Sequence, residues 1–499
     1  MMRRHSPWLT VSLALAGAAM LLGGCRKGES DELDVAVIGS GPLTLGDALA
    51  PTASEAQAVL RTNLAQGLVR FDGAGQVEPG LAERWNVSDD GLSYIFRLAA
   101  GEWPDGRKIM ARDVARILKR QMHANRGSAT RQALGGVGDV VAMTERVIEI
   151  RLTAPRPHLL ELLAQPDFAL IREGVGSGPF RPRMLDAAGP RKVTSLLRLT
   201  RVLPGVDGEV GAREEVRLRV MATRPAIVAF GNGALDLVLG GTLSDLPLAT
   251  RASLPRGALR FDPASGLFGL VPARSDGPLS EPDVRRLLSQ AIDRDTLIAA
   301  FAIPGLVPRA TVLQAGLEGV ADPVQPPWLA QPLAERRIAL KREAQRLFGA
   351  TERPRLSVAL PEGPGGDLLF ARLAADWRAI GIVVERAAPR APADLRWIDA
   401  VAPSTSPAWF LRHFRCTRAP ICSEEADVLL DSARAAPDAA QRGALLGQAA
   451  ALIDEATLFI ALAAPVRWSL VGDRATGYQD NRFTRHSLAD LMRRAPRGF

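Results

Sequence analysis

The sequence predicts an α/β fold of more than one domain. At about 100–200 residues per domain, 499 residues correspond to two to four domains. The composition, 47% hydrophobic and 23% charged, is that of an ordinary globular chain and excludes disordered and fibrous classes. Between residues 356 and 386, a strand pattern, a helix pattern and a second strand pattern follow one another. This alternation is typical of partly parallel sheets covered by helices.

The N-terminus has the pattern of a secretory signal. Arg3 and Arg4 precede an apolar stretch, residues 9–24, which is too short for a membrane span of about 20 residues. The stretch ends in Leu-Leu-Gly-Gly followed by Cys25, which resembles a bacterial lipobox. We predict that residues 1–24 are a signal peptide and that Cys25 is lipidated, so that its acyl chains anchor the protein to a membrane. A plain cleaved signal with an incidental cysteine is the alternative.

The first strand pattern of the mature chain ends in a glycine turn, Gly39–Thr44, which looks like the opening of a dinucleotide-binding unit. That unit needs a third small residue where the helix packs on the strand, and an acid about 20 residues further on. Thr44 takes the place of the third glycine, and no Asp or Glu lies between Gln57 and Phe71. We favour a strand that leaves the core through a Gly/Pro loop; a membrane-anchored dinucleotide-dependent enzyme is the alternative.

The rest of the chain is assigned from hydrophobic spacing and from turn residues. Apolar residues at helical spacing predict helices over 55–70, 111–122, 282–301, 334–348, 368–380 and 439–454. Strands are predicted over 92–98, 147–152, 356–360 and 382–386, with several short strands around a helix in 196–240. Breaks are predicted at Asp90–Gly91, Trp103–Gly106, Gly174–Pro179 and Pro323–Pro332.

Two cysteines lie close together late in the chain. Five residues separate Cys416 from Cys422, and in an oxidising compartment this pair predicts a local disulfide. Metal binding is the competing interpretation, but His413 is the only histidine nearby and a second Cys/His pair at ligand spacing is missing. We therefore predict no metal site.

The charge pattern and the motif inventory exclude other functions. The net charge is +8 and the pI about 10.0, but the 57 arginines are scattered among acids and only five lysines accompany them. Nucleic acid is therefore not a predicted partner. The sequence has no Gly-x-Ser-x-Gly elbow, no His-Glu-x-x-His pair and no P-loop, so we predict neither an enzyme nor a bound cofactor.

Several motifs, taken in order, resemble those of the family-5 extracytoplasmic solute-binding proteins, the oligopeptide, dipeptide and nickel-type binding proteins of ABC importers. The first group comprises Gln66–Val69, Glu78–Trp85, Ser88–Gly91, Tyr94–Leu98, Trp103–Gly106 and Ala111–Val114. The second group comprises Gly176–Phe180, Val284–Arg286, Ala291–Arg294 and Trp377–Glu385.

The resemblance implies the two-lobe periplasmic binding protein type II fold with a subdomain inserted in the first lobe. On this basis lobe I takes in 31–58, 176–258 and 470–499, the inserted subdomain 59–175, and lobe II 259–469. It also implies a periplasmic monomer that encloses a peptide or other small solute between its lobes and delivers it to the permease of an ABC importer.

The sequence departs from the family where peptide binders hold the ligand's ammonium group. Those proteins carry Gly-Trp-x-x-Asp on a cleft strand, and alignment through Pro407–Leu411 puts Ala400 at the Trp and Pro403 at the Asp. The family's Asn-x-x-Tyr-Trp motif is also absent after the strand at 196–202. A ligand with a free N-terminus is therefore in doubt, and a degenerate-cleft lipoprotein acting as sensor or scaffold is an alternative.

Residues near the altered strand are the candidate ligand contacts. The predicted set is Thr44, Trp397, Asp399, Trp409, Phe410 and Arg412. Trp397 could equally face the core, because side chains alternate along a strand. Arg412, His413 and Arg415 lie beside the cleft strand, and we favour a solvated basic loop as their interpretation; an acidic or N-blocked ligand is the alternative.

Overall fold

The computed structural model describes residues 32–124, 134, 136–185, 195–204, 210–349 and 354–491. Cys25 and the predicted signal peptide lie outside these residues. The helices are α1 Glu55–Leu64, α2 Ala111–His123, α3 Leu159–Leu163, α4 Thr223–Gly231, α5 Leu246–Thr250, α6 Pro282–Ala291, α7 Arg294–Ala299, α8 Leu333–Phe348, α9 Pro364–Ala379, α10 Pro407–Leu411, α11 Glu424–Ala435, α12 Ala439–Glu455 and α13 Leu488–Leu491.

The strands alternate with these helices along much of the chain, as the predicted fold class requires. They are β1 Glu32–Ile38, β2 Val69–Phe71, β3 Val77–Pro79, β4 Ala82–Val87, β5 Ser93–Leu98, β6 Val137–Ala142, β7 Val147–Leu152, β8 Ile171–Arg172, β9 Val175–Gly176, β10 Arg181–Met184, β11 Leu196–Pro204, β12 Val210–Met221, β13 Leu237–Thr242, β14 Leu259–Phe261, β15 Gly266–Pro272, β16 Arg355–Ala359, β17 Val383–Ala387, β18 Leu395–Val401, β19 Ile460–Ala461 and β20 Arg467–Val471.

A seven-stranded sheet, the first-lobe sheet, has the order β10-β11-β12-β1-β13-β20-β14. β1 lies at its centre and runs parallel to both neighbours, whereas the outer pairs are antiparallel. Val35, Ala36 and Val37 of β1 are wholly buried. A run of apolar residues covered on both faces is what a central parallel strand requires.

The glycine turn after β1 does not lead into a helix. The first helix, α1, begins at Glu55, beyond a loop that spans 39–54. A dinucleotide-binding unit needs the N-terminus of a helix directly after the glycines, because its backbone N–H groups hold the pyrophosphate. The arrangement therefore agrees with the favoured Gly/Pro loop and lacks the geometry of the dinucleotide alternative.

The inserted subdomain contains an antiparallel sheet of order β4-β5-β7-β6, with α2 packed beside β6. Its core includes Phe96, Ile148, Ile150 and Leu118, all with no exposed surface. The chain returns to the first lobe through the predicted break around Gly176–Pro179. Gly178 lies there against the end of α1, where a Cβ atom would come 2.4 Å from the carbonyl oxygen of Asn63. This close approach explains why a glycine follows the subdomain at that point.

A five-stranded sheet, the second-lobe sheet, has the order β17-β16-β18-β15-β19 and is parallel only among β17, β16 and β18. The predicted single helix over 282–301 is wrong: it is two helices, α6 and α7. Asp293 separates them because its side chain accepts a hydrogen bond from the backbone N–H of Thr296 (3.0 Å) and so caps α7. The predicted helix 55–70 is also too long, since α1 ends at Leu64.

The chain passes between the two large sheets through two short segments, 262–265 and 462–466. The first joins β14 to β15, and the second joins β19 to β20. The first segment is held beside the end of the second: the Asp262 N–H donates to the carbonyl of Arg467, the first residue of β20 (3.1 Å), and Asp262 Oδ2 pairs with His486 Nε2 (3.1 Å). Two adjacent connections are the arrangement of a hinge.

Sheet membership differs slightly from the predicted lobe limits. β14 and the start of β20 belong to the first-lobe sheet, whereas the sequence interpretation assigned 259–469 to lobe II. The limits of the lobes and of the inserted subdomain otherwise stay predictions. In the described part of the chain, no helix is both long and apolar enough to cross a membrane.

Candidate ligand-binding cleft

β18 is the strand on which the sequence places the ligand contacts. It pairs with β15 on one side and β16 on the other, so its side chains alternate between the two faces of the second-lobe sheet. Trp397 is half-buried, and its ring meets the ring of Phe268 edge-on with centroids 4.6 Å apart. It lies at the margin of the largest hydrophobic core cluster. Trp397 is thus anchored in packing, and its contact with a ligand stays a prediction.

Asp399 already has a cationic partner. Its Oδ1 accepts a hydrogen bond from Arg467 Nη1 (2.8 Å), which lies beyond the second crossing segment. Burial raises the pKa of Asp399, while the charge of Arg467 and this hydrogen bond act in the opposite direction. The ion pair links the second-lobe sheet to the first-lobe sheet, so Asp399 is engaged near the hinge.

The two altered family positions lie at the end of β18. Ala400 is directly opposite Leu267 of β15 and packs against a second hydrophobic cluster. Pro403 follows in the loop 402–406, and its carbonyl oxygen accepts a buried hydrogen bond from Gln165 Nε2 of the inserted subdomain (2.8 Å). Gln165 Oε1 in turn accepts from Arg485 Nε of the first lobe (3.3 Å). One glutamine therefore joins three parts of the molecule where peptide binders carry an acid.

A second contact between the subdomain and the second lobe lies two residues further on. The N–H of Thr405 donates to Glu161 Oε2 (2.8 Å), and its hydroxyl lies 3.0 Å from His158 Nδ1. Burial raises the pKa of Glu161, but the bonds from His158 and Thr405 outweigh it, so that the net shift is downwards. These buried polar groups satisfy one another across the gap between the two parts.

The aromatic pair after the loop faces inward. Phe410 has no exposed surface and packs in the cluster formed by α10, α11 and α12. This packing does not favour its contact with a ligand, which stays a prediction. The short helix α10 turns Phe410 towards this cluster. Trp409 is only 2% exposed, but it lines a cavity, and its ring contacts His413 at 4.6 Å.

Thr44 lies apart from the other candidates. It is exposed on the loop after β1, and its hydroxyl accepts a hydrogen bond from the N–H of Gly46 (3.2 Å). Arg412 and Trp409 line cavities between the subdomain and the second lobe, as described next. Thr44, Trp397 and Asp399 line neither of these two cavities. The structure therefore places Trp409 and Arg412 at the cavities, and Thr44, Trp397 and Asp399 away from them.

Two adjoining cavities lie between the inserted subdomain and the second lobe. The first measures about 590 Å³ and lies between α2–β6 and the loop 412–418. The second measures about 310 Å³ and lies between 155–162 and the helices α10–α12. Arg412, Arg415 and Arg434 line both. We call the two together the basic cleft.

Basic side chains dominate the walls of the basic cleft. They are Lys119, His123, Arg156, His158, Arg412, Arg415, Arg418, Arg434 and Arg442, and the lining acids among the described residues are Asp139 and Glu318. Lys119 already pairs with Asp139 at 2.7 Å. Burial, followed by the charges of Arg434 and Arg442, lowers the pKa of Arg156. Like charges have been brought together here in a partly desolvated place.

Arg412 and His413 experience the same environment. Burial and the charge of Arg418 lower the pKa of Arg412 to about 9. Burial and the charge of Arg412 lower the pKa of His413 to about 4, so the imidazole is neutral at pH 7. The solvated basic loop considered for Arg412 and His413 does not describe these half-buried side chains.

The loop that carries these residues is held firmly on α11. Cys416 and Cys422 form a disulfide, with Cα atoms 5.0 Å apart. Arg415 pairs with Asp431 (2.6 Å) and Asp427 (3.4 Å), and the N–H of Cys416 donates to Asp427 Oδ2 (3.1 Å). Arg415 is therefore neutralised within the second lobe.

Sequence reasoning missed the subdomain's share of the site. Arg156, His158, Glu161 and Gln165 lie about 240 residues before the loop that they contact. No motif marks them, because their roles depend on docking between two parts of the chain. A single sequence carries no signal of such a contact.

Comparisons with known proteins identify the class. The model of the bacterial extracellular solute-binding proteins, family 5 middle region, matches residues 76–399. A probable di/tripeptide-binding protein 5 from Pseudomonas aeruginosa is 26% identical over 523 aligned positions, which cover 96% of each chain.

Solved structures show the same architecture. OppA from Haemophilus influenzae, in complex with RPPGFSPFR, superimposes with a TM-score of 0.76 at 15% identity and covers 92% of this chain and 99% of its own. The Escherichia coli murein tripeptide binding protein MppA superimposes with a TM-score of 0.75 at 17% identity and covers 91% and 97%. The predicted α/β periplasmic binding protein fold is confirmed. The chain belongs to the bacterial extracellular solute-binding proteins of family 5.

Proposed function

We propose that this protein is the substrate-binding component of an ABC importer, which captures a peptide or a similarly sized solute between its lobes and presents it to a membrane permease. The hinge formed by 262–265 and 462–466 carries the proposal, because it lets two α/β lobes close on a solute. Family membership and the relatives named as peptide-binding proteins support it.

The enclosed solute would stabilise the closed arrangement by its greater affinity for that state. Polar contacts that span the parts, such as Gln165 with Pro403 and Glu161 with Thr405, already favour closure. A solute that adds contacts to both walls shifts the population further in the same direction.

Native mass spectrometry of the purified protein tests the capture of a solute. We expect a fraction of the protein to carry a bound mass of a few hundred daltons that is lost on denaturation and refolding. A protein that is empty on purification and shows no rise in Tm with any member of a peptide and organic-solute library would contradict the proposal and favour a sensor or scaffold.

We further propose that a lipid on Cys25 anchors the protein to the cell envelope, where it acts as a monomer. The lipobox-like residues 21–25 support this anchor. Cys25→Ser should move the protein from the membrane fraction to the soluble periplasmic fraction without changing its Tm. An unchanged distribution would show that the cysteine carries no anchor.

A further inference from the structure

The basic cleft between the inserted subdomain and the second lobe contains more positive charge than its own acids balance. Arg156 and Arg434, on opposite walls, form no ion pair within the described residues. Arg442 bonds the carbonyl of Ala436 (3.2 Å), which supplies no negative charge. Glu318, an exposed residue, is the acid that lines the second cavity. Arg434 is exposed, whereas Arg156 is partly buried. A partly buried cation without a carboxylate partner, as Arg156 is, is unfavourable unless an anion completes it.

Two deeply buried polar groups in the same cavity also lack partners. Ser404 is 1% exposed and Trp409 is 2% exposed, and both line the second cavity. Among the described residues, no hydrogen-bond partner is within reach of Ser404 Oγ or of Trp409 Nε1. Leaving a buried donor unsatisfied costs about 1–3 kcal/mol, so such groups usually serve a ligand or an ordered water.

The remaining walls of this cavity are apolar. Pro155, Leu159, Leu162, Ala433 and Leu446 contribute to them. At about 310 Å³ the space lies at the small end of ligand pockets, so it suits a compact solute and not a long peptide. The surroundings combine an apolar body with cationic and neutral hydrogen-bond donors.

Resting on the proposed function, we propose that the solute is an organic anion with an apolar body. Its carboxylate or phosphate group binds Arg156 and Arg434, with Ser404 and Trp409 donating further hydrogen bonds. Guanidinium groups suit both anions because their planar fork donates two parallel hydrogen bonds. The ligand bridges the inserted subdomain and the second lobe and therefore locks the closed form.

The residues around the end of β18 disfavour a free ammonium group on the ligand. The acid that peptide binders use is replaced by Pro403, and the nearby Asp399 is paired with Arg467. The arginines that line the basic cleft would also repel a cation. An N-blocked or wholly anionic solute meets neither obstacle.

Isothermal titration with matched probes tests the anion. N-acetyl-dileucine and octyl phosphate carry a charged head, and the primary amide of N-acetyl-dileucine does not. We expect the acid or the phosphate to bind with at least about a tenfold lower Kd than the amide, with an affinity that falls as salt is raised. The stronger of the two anions identifies the head group.

Variants separate the cleft from general charge effects. Arg156→Gln with Arg434→Gln should weaken the anion by about tenfold or more, whereas Arg224→Gln with Arg251→Gln, which removes equal charge from exposed first-lobe positions, should leave the Kd within about twofold. Ser404→Ala should weaken binding yet raise the Tm of the empty protein, because it deletes an unsatisfied buried hydroxyl. A merely structural serine would give no such split.

The outcomes also separate this inference from the proposed function. Equal binding of amide and anions, no binding of any probe, or an Arg156/Arg434 variant with unchanged affinity would overturn the inference. If native mass spectrometry still finds a retained neutral or cationic solute, the transport role survives that result. An empty protein that responds to nothing would remove both.

Discussion

Asp454 is a buried carboxyl group in the last turn of α12. Its Oδ1 accepts a hydrogen bond from the N–H of Val312 (2.7 Å), and Arg309 lies near enough to influence it. Burial raises the pKa of Asp454 to about 7, although the hydrogen bond and the arginine act in the opposite direction. A carboxyl group that prefers its neutral form in the folded state makes stability depend on pH.

We predict that Asp454→Asn flattens this dependence. Between the ordinary value of 3.8 and about 7, the folded protein retains a proton that the unfolded chain has lost, so the free energy of unfolding falls as the pH rises through this window. Each pKa unit corresponds to about 1.4 kcal/mol. In urea unfolding at pH 4.5 and pH 8, the free energy of unfolding of the variant relative to the wild type should be higher at pH 8 than at pH 4.5. Parallel pH profiles for the two proteins would show that Asp454 titrates normally.

The aromatic pair after β18 shows what sequence can and cannot predict for a single residue. Position along the chain placed Trp409 and Phe410 next to the cleft strand, and both do lie beside the loop 402–406. Their direction depends on α10, a one-turn helix whose facing partners α11 and α12 come later in the sequence. Packing with those helices buries Phe410 completely, and the local pattern carried no record of it.

Two glycines in α12 give a matched test of helix packing. Gly443 and Gly447 lie one turn apart, but a Cβ atom on Gly443 would come 2.1 Å from the carbonyl oxygen of Gly319, whereas one on Gly447 would meet nothing within 4 Å. Gly443 therefore allows α12 to approach the loop that borders the second cavity.

We expect the two alanine substitutions to have opposite signs. Gly447→Ala should raise the free energy of unfolding by about 0.5–1 kcal/mol, because alanine costs less backbone entropy in a helix. Gly443→Ala should lower it by at least about 1 kcal/mol, because the backbone of the facing loop must shift. Thermal unfolding compares them directly, and a gain of stability in both would show that the Gly319 loop yields without cost.

The disulfide element connects stability with the basic cleft. Removing both cysteines, as Cys416→Ser with Cys422→Ser, should cost about 2 kcal/mol by the loop-closure estimate for so short a loop. Arg412 and Arg418 lie on either side of Cys416. Loss of the disulfide should therefore also raise the Kd of the anion probes, and this effect on binding should exceed its effect on folding elsewhere in the chain. Titration of the reduced and oxidised wild type checks this, and an identical Kd in both would confine the disulfide to stability.

The helix pair α6 and α7 shows a limit at the scale of elements. The apolar spacing of 282–301 continues through the break, so it predicted one helix. The break depends on Asp293, whose side chain caps α7 and whose N–H bonds Asp376 of α9 at 3.0 Å. The cap could have been found from Asp293 and the Thr296 that follows it, but the bond to a helix 83 residues away could not.

At the scale of the molecule, the fold was predictable because its motifs mark turns and strand ends that recur along the chain. Only the second-lobe wall of the basic cleft was predictable from the sequence. Arg412 and Arg415 stood out beside the cleft strand, whereas Arg156 completes the site from the inserted subdomain. The distance between the walls is set by docking, and docking depends on scattered contacts such as Glu161 with Thr405.

Gln165 of the inserted subdomain contacts both lobes, so we expect it to stabilise closure of the molecule. This side chain donates to the Pro403 carbonyl in the second lobe and accepts from Arg485, which also bonds Glu55 Oε2 in the first lobe at 3.1 Å. A net hydrogen bond contributes about 1 kcal/mol, which corresponds to about a fivefold change in a two-state population. Losing both bonds should therefore favour the open arrangement even without a ligand.

Small-angle X-ray scattering of Gln165→Ala measures that shift. We expect a larger radius of gyration for the ligand-free variant than for the wild type, with a preserved circular dichroism spectrum, because the lobes separate while each keeps its own core. Gln448→Ala, at an exposed position of α12, is the matched control and should scatter like the wild type. If both variants match the wild type, the Gln165 contact forms on closure without stabilising it. The closed form would then be stabilised by the contact of Glu161 with Thr405 and by the bound anion.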